Sequence, residues 1–249
     1  MLKKTLTIGT TALVLAASSA FAQTDNFSGG DSAWTHYSPL TPFGAGGTYT
    51  ANASGYHITA PASPNPGALG PSRVGAYQTG FSYSDFTVSA DVTAWDAADN
   101  NAIGLVARVG TPGLGTTTGY LFAMFPSSGI IAINRLDNEN ASGLTGSLAP
   151  ISTGIGYRLV FTGAGSTLTG SLYSLSNLNT PIATTTATDG KYGAGLAGVF
   201  ASGAIPSGLS SPVDVTFANY SAAPEPSTWA LFGVGVAGLA FAARKRQQA

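Results

Sequence analysis

The sequence has no cysteine and few charged residues, which make up 8% of its 249 residues. Without cysteine there are no disulfides, thiol nucleophiles or thiolate metal sites, so the core alone must stabilise the fold. Only two histidines are present, His36 and His57, and no Gly-x-Ser-x-Gly segment accompanies them. This composition disfavours both a zinc centre and a serine triad.

Glutamate is also scarce, and acidic residues outnumber cationic residues in the middle of the chain. Between residues 23 and 223, five cations stand against ten acidic residues, a net charge of −5. Such a domain lacks the basic footprint of a nucleic-acid partner. Glycoside hydrolysis needs paired carboxylates at a set separation, yet Glu139 is the single glutamate before residue 224. Asp91 and Asp214 stand alone on predicted strands.

The N-terminus reads as a secretory signal peptide. Two lysines precede an apolar run over residues 6–17. Ala20 and Ala22 then form an Ala-x-Ala cleavage site, which completes the pattern of a signal peptide. We expect signal peptidase to remove residues 1–22 and leave Gln23 as the first residue.

The C-terminus has a second three-part signal. Pro224, Glu225 and Pro226 precede a stretch without charges at 227–243, and a basic cluster at 244–246 follows. Seventeen uncharged residues are the lower limit for a helix that crosses a hydrocarbon core of about 30 Å. The basic cluster would remain cytoplasmic by the positive-inside rule. We therefore expect a membrane-spanning segment at about 227–243.

This tail resembles the PEP-CTERM sorting signal of Gram-negative bacteria. The resemblance covers residues 222–249 and implies recognition by an exosortase, a membrane transpeptidase that cuts near the Pro-Glu-Pro. It predicts export across the inner membrane, a transient anchor there, and transfer to the cell surface or extracellular matrix. It does not indicate what the exported domain does.

The middle of the chain predicts an all-β fold. Residues 86–94 and 213–217 alternate apolar and polar side chains with period two, as half-buried strands do. More continuous apolar runs occur at 103–109, 120–125, 130–136, 157–161 and 196–201. Turn-forming clusters separate many of these runs, including one predicted over 137–146. Short strands at this spacing indicate a sandwich or a barrel.

The order of short motifs resembles the concanavalin A-like lectin/glucanase fold, in particular its laminin-G-like bacterial forms. The motifs are Asp25-Asn-Phe27 with Trp34, 103–108, 119–122, 157–160, 189–196 and 215–220. The resemblance implies a two-sheet antiparallel jelly-roll sandwich over residues 23–221. An unrelated jelly roll is the alternative.

Calcium is the one cofactor that the sequence leaves open. Asp96, Asp99, Asn100 and Asn101 form one oxygen-rich segment, and residues 137–140 form another. Hard cations prefer such ligands, and the resemblance to laminin-G-like sandwiches implies that loops of this fold can hold calcium. The same residues are ordinary turn formers. We therefore assign no metal, cofactor or catalytic residue. Two Gly-x-Gly-x-x-Gly stretches, at 193–198 and 233–238, lack the βαβ context of nucleotide binding.

Two functions remain. The first is a non-catalytic surface or matrix protein that binds polysaccharide, with Trp34, Tyr37 or Trp95 as candidates to stack on sugar rings. The alternative is a polysaccharide-degrading enzyme with an unrecognised site. The lack of paired glutamates favours the first.

Overall fold

The computed structural model describes residues 22–98, 101–203 and 210–224. These residues form fifteen strands and three short helical turns. The strands are β1 Gln23–Asp25, β2 Trp34–Tyr37, β3 Thr48–Asn52, β4 Gly55–Ala60, β5 Arg73–Gln78, β6 Phe86–Trp95, β7 Asn101–Gly110, β8 Thr118–Phe125, β9 Ile130–Asp137, β10 Asn140–Leu148, β11 Tyr157–Ala164, β12 Thr167–Ser174, β13 Ala183–Thr188, β14 Leu196–Gly203 and β15 Val213–Pro224. The helical turns are α1 Pro66–Leu69 and 3₁₀ turns at Thr41–Phe43 and Pro126–Ser128.

The strands form two sheets. Within the described residues, all neighbouring strands of each sheet are antiparallel. Sheet A has the order β13-β12-β11-β6-β15-β4-β3, and β1 adds to β15. Sheet B has the order β10-β9-β8-β7-β14-β5-β2. The two sheets pack face to face, with the rings of Phe122 and Phe161 at a centroid distance of 5.8 Å. The predicted all-β, two-sheet antiparallel sandwich is therefore confirmed.

Alternating burial along the strands builds the core. In β6, Phe86, Val88 and Ala90 are fully buried, whereas Thr87 and Ser89 between them face outward. Close approach of the sheets also requires glycine at one position. A Cβ on Gly170 would lie 2.2 Å from the ring of Phe122, so no larger residue fits there without a shift.

The seven strands predicted from apolar patterns are all present. The predicted turn cluster over 137–146 is wrong, because the turn comprises only Asn138 and Glu139 and β10 begins at Asn140. This strand lies at the edge of sheet B and is largely exposed, so its side chains lack apolar alternation. The last strand also runs to Pro224, three residues past the predicted domain boundary at 221.

The described residues include only a small part of the predicted processing segments. No helix in the described ranges is long and apolar enough to cross a membrane. Apart from Ala22, the predicted signal peptide lies outside the described residues, and so does the predicted span at 227–243.

Candidate functional site

The outer face of sheet B carries an apolar cluster that is separate from the main core. Its buried members are Tyr37, Ala102, Val106, Val109, Leu121, Ala123, Leu136 and Phe200. An outward-facing sheet surface is normally polar, because water covers it. Here loops cover it instead: Pro112 and Thr117 of the β7–β8 loop share a small pocket with Val106 and Val109. The loops and the sheet together create a concave surface.

A cavity of about 590 Å³ opens on this face. Its apolar lining includes Ala102, Leu114, Leu121, Phe125, Leu136 and Phe200. Its polar lining consists of Arg73, Asn134, Asn138, Glu139, Asn140 and Ser202. Small-molecule sites have about this size, with a mostly apolar wall and a few placed polar groups. The cavity is therefore the candidate binding site.

An ion pair forms one wall of the cavity. Arg73 Nε donates to Glu139 Oε1 at 2.8 Å, and Nη2 donates to Oε2 at 2.7 Å. Both side chains are nearly buried, at 9% and 10% exposure. Arg73 Nη1 also donates to the carbonyls of Leu69 and Pro71, each at 2.8 Å. The arginine thus ties strand β5 to the α1 loop and to the β9–β10 hairpin.

The position of Glu139 depends on the hairpin between β9 and β10. Asn138 and Glu139 have φ values of 53° and 66°, the left-handed pair that a two-residue type I′ turn requires. Asparagine suits such a position, but glutamate rarely occupies it. The Glu139 amide donates to the Thr117 carbonyl at 2.7 Å. Tertiary contacts therefore hold the turn that directs this carboxylate into the cavity wall.

Further hydrogen bonds surround the carboxylate. The Tyr37 hydroxyl donates to Oε1, and the Gly115 amide donates to Oε2. Burial alone would raise the pKa of Glu139, but the hydrogen bonds from Arg73, Gly115 and Tyr37 lower it below its usual value. Burial raises the pKa of Tyr37, and its bond to Glu139 raises it further. At neutral pH the wall therefore holds an ionised carboxylate and a neutral phenol.

Three carboxamides at the cavity have no hydrogen-bond partner among the described residues. The side chains of Asn134, Asn138 and Asn140 line the cavity, and none makes a hydrogen bond to another described residue. Asn134 is half-buried on β9, and the other two are exposed at the hairpin. Each carboxamide offers two N–H donors and one acceptor oxygen. These groups are free to bind a ligand rich in hydroxyl groups.

The aromatic residues predicted to stack on sugars pack against other side chains and are not among the cavity-lining residues. Trp34 is 7% exposed and packs in the main core beside Phe27 and Tyr220. Tyr37 is also buried, although its hydroxyl reaches Glu139 at the cavity wall. Trp95 is partly buried and packs against the core. Trp34 and Trp95 therefore contribute to the main core, and Tyr37 contributes to the apolar cluster on the outer face of sheet B.

The two histidines are not among the cavity-lining residues, and each bonds a different aspartate. His36 bonds Asp31 at 2.7 Å, and His57 bonds Asp214 at 2.9 Å. Asp91 forms a bidentate pair with Arg158 on the outer face of sheet A. None of these groups meets a serine in a catalytic arrangement, and Glu139 is the only acid among the described cavity-lining residues.

The calcium hypothesis receives no support from the described residues. In the 137–140 segment, Asp137 bonds Arg135 and Lys191, whereas Glu139 bonds Arg73. The two carboxylates thus diverge and are already paired with cations. Part of the 96–101 segment lies outside the described residues. No cluster of three or more acidic or histidine side chains that could hold a metal occurs within the described ranges.

Two of the predicted processing positions, Gln23 and Pro224, lie on the paired strands β1 and β15. Gln23 begins β1 and pairs with Ala222 of β15, and Pro224 pairs with Phe86 at the end of the same strand. Ala22 is exposed and precedes the first strand. Ala20, Glu225 and Pro226 lie outside the described residues.

Residues 222–247 match the PEP-CTERM protein-sorting motif. The chain carries a PEP-CTERM sorting signal. This signal indicates an exported protein that is sorted to the cell surface, and it implies processing by an exosortase. No curated protein matches the chain.

The sandwich is similar to several solved structures. A carbohydrate binding module, CBM66 from Bacillus subtilis, is 18% identical with a TM-score of 0.57, covering 77% of this chain and 95% of its own. Basic winged bean lectin with Tn-antigen is 11% identical with a TM-score of 0.51, covering 82% and 99%. The GlcNAcα1-4Gal-releasing endo-β-galactosidase from Clostridium perfringens is 12% identical with a TM-score of 0.51, covering 81% and 61%. At these identities, the similarity establishes the lectin-like fold.

The sequence identified Glu139 as an isolated glutamate but not as part of a cavity. Arg73 appeared only in the charge count, and Asn134 lay inside an apolar run. One signal was available: two polar residues between two strands, Asn138 and Glu139, are compatible with a hairpin turn. The partner across the cavity could not be inferred, because Arg73 is 66 residues away in the sequence.

Proposed function

We propose that this protein is a non-catalytic surface or matrix protein that binds polysaccharide in the cavity on the outer face of sheet B. One observation carries the proposal: a cavity of about 590 Å³ combines apolar walls with three unpartnered carboxamides. The apolar faces of a sugar ring can pack on such walls while its hydroxyls bond the amides. The fold of a carbohydrate binding module and of a lectin supports this choice.

The non-catalytic part of the proposal rests on the same cavity. Its described lining contains one carboxylate, Glu139, which is ionised and held by Arg73. Glycosidases that use two carboxyl groups need a second one within about 5–10 Å. A bidentate arginine also keeps the carboxylate ionised, which suits neither a general acid nor a free nucleophile.

A tryptophan at Ala141 tests the location of the site. Ala141 is exposed on β10 and lines the cavity, so Ala141→Trp should fill part of the cavity without disturbing the core. We expect at least about a tenfold loss of affinity in affinity electrophoresis against dextran, mannan, galactan, xylan and inulin. The protein is used as the full chain in mild detergent.

Ser142→Trp is the matched control. Ser142 is exposed on the same strand but faces the opposite side, opposite Arg135. It should bind like the wild type. Equal effects of the two substitutions would place the site elsewhere, and sugar release from any polysaccharide would contradict the non-catalytic assignment.

We also propose a processing sequence for this protein. Signal peptidase cuts before Gln23, the apolar tail holds the chain transiently in the inner membrane, and exosortase then releases it. The pairing of Gln23 with Ala222 supports cuts outside residues 23–222, because both residues belong to strands that the sandwich retains.

N-terminal sequencing and intact mass of the exported protein test this sequence. We expect Gln23 at the N-terminus and a mass that lacks the tail. Glu225→Ala should leave a full-length form in the membrane, whereas Asp96→Ala, at an exposed acid of the sandwich, should be processed normally. Wild-type cells that hold only uncut protein in the inner membrane would refute the release step.

A further inference from the structure

We infer that the ligand of the cavity is an uncharged glycan, and that the protein discriminates against uronate-containing and other anionic polysaccharides. This inference rests on the proposed function, since it names the ligand class of the same cavity. It follows from how the protein distributes its few cations.

Every cationic side chain in residues 22–98, 101–203 and 210–224 is paired with a carboxylate. The pairs are Arg73 with Glu139, Arg108 with Asp85, Arg135 with Asp137 and Asp189, Arg158 with Asp91, and Lys191 with Asp137. Acidic residues outnumber cations twofold between residues 23 and 223. The described surface therefore offers an anionic polymer no uncompensated cation, and its overall field repels such a polymer.

The cavity itself is electrically balanced. Arg73 and Glu139 are its only charged lining residues in the described chain, and they neutralise each other through two hydrogen bonds. An arginine has five N–H donors. Arg73 uses four of them on Glu139, Leu69 and Pro71. One donor remains, which can hold a hydroxyl but not form the bidentate contact that a carboxylate prefers.

The remaining polar groups of the cavity match hydroxyl groups. Asn134, Asn138 and Asn140 supply both donors and acceptors without charge. A sugar hydroxyl is itself a donor and an acceptor, so it can satisfy either end of a carboxamide. A ligand carboxylate accepts only, and it would approach the Glu139 carboxylate across a largely apolar wall. Binding a ligand carboxylate against this wall without a free cation to pair with it is unfavourable.

Matched pairs of glycans test this inference on the wild-type full chain. Mannan and galactan are compared with their derivatives oxidised to uronates at C6, and polygalacturonate and alginate with their carboxyl-reduced forms. We expect the neutral member of a pair to bind at least about tenfold more tightly. Binding of the neutral member should also change little between 50 mM and about 500 mM NaCl, because no ion pair forms.

A substitution of Glu139 tests whether the charge balance between Arg73 and Glu139 sets the preference for neutral glycans. Glu139→Gln leaves Arg73 without its counter-charge, so binding of the acidic member should increase relative to the neutral one. Asp189→Asn is the control, because it removes a partner of Arg135 outside the cavity lining. It should leave the preference unchanged.

The outcomes separate the two proposals. Tighter binding of the acidic members that Ala141→Trp abolishes would overturn the neutral preference and keep the site. Binding that neither Ala141→Trp nor Glu139→Gln alters would overturn the site. No binding to any member of the series would overturn the proposed function and this inference with it.

Discussion

The outer faces of the two sheets differ in chemistry although they belong to one sandwich. Sheet A presents mainly hydroxyl side chains to water, including Thr87, Ser89, Thr162, Thr169, Ser171, Thr184 and Thr186. Some of these bond across strands, as Thr169 does with Thr186 at 3.2 Å. Sheet B instead presents the apolar cluster around Leu121 and Phe200, covered by loops. The candidate binding cavity lies where loops shield the outer face of sheet B from water.

Each outer face also has one bidentate arginine–carboxylate pair, and the two pairs differ in burial. On sheet B, Arg73 and Glu139 have side chains that are 9% and 10% exposed. On sheet A, Arg158 is 31% exposed, its partner Asp91 is 4% exposed, and Asn219 also donates to Asp91 at 2.8 Å. The same type of ion pair thus forms a cavity wall on sheet B and a partly hydrated surface contact on sheet A.

The largest expected difference between the two faces is the loss of stability when each arginine is replaced by alanine. Arg73→Ala leaves the Glu139 charge nearly buried beside an apolar cavity, so we expect a loss of about 3–5 kcal/mol in the free energy of unfolding. Arg158 is 31% exposed and covers Asp91, so its removal in Arg158→Ala should let water reach that carboxylate, which also keeps its bond from the Asn219 amide; we expect a loss of about 1–2 kcal/mol. Urea unfolding with an unchanged m-value measures both. Equal losses would mean that the two faces are hydrated alike.

A smaller difference in stability is expected when a single uncharged side chain on each face is truncated to alanine. Leu121→Ala removes a 4% exposed side chain from the apolar cluster of sheet B and should cost about 2–3 kcal/mol. Thr169→Ala, on the exposed face of sheet A, should change the free energy of unfolding by about 0.5 kcal/mol or less. Thermal and urea unfolding of both variants test this. A comparable loss for the threonine would show that its cross-strand bond is structurally important.

The smallest expected effect is the pH dependence contributed by Glu139. Its pKa is lowered in the folded protein, so its contribution to stability is present above its unfolded pKa of about 4.3. That contribution is lost as the pH falls through the folded value. Between pH 7 and pH 3, Glu139→Gln should therefore lose less stability than the wild type. Urea midpoints at both pH values measure the difference, and parallel losses would contradict the assignment.

The local pattern of the sequence predicted seven of the fifteen described strands, drawn from both sheets, whereas β4 and β12 were not predicted although their burial alternates. Residues 86–94 and 213–217 alternate because one side of each strand faces the core, and this signal needs no knowledge of the partner strand. The edge strand β10 was missed because water covers most of it. The C-terminal motif was also readable, since its three parts are contiguous in the chain.

The candidate site depended on the tertiary structure. Tyr37 and Glu139 are 102 residues apart, and Arg73 and Glu139 are 66 apart. They meet because the order of sheet B and its covering loops bring β2, β5 and the β9–β10 hairpin to one surface. Periodicity within a strand reports only which side of that strand is buried. Composition and net charge were determined by the sequence alone, but the pairing of charges and the cavity between them follow from contacts between distant segments.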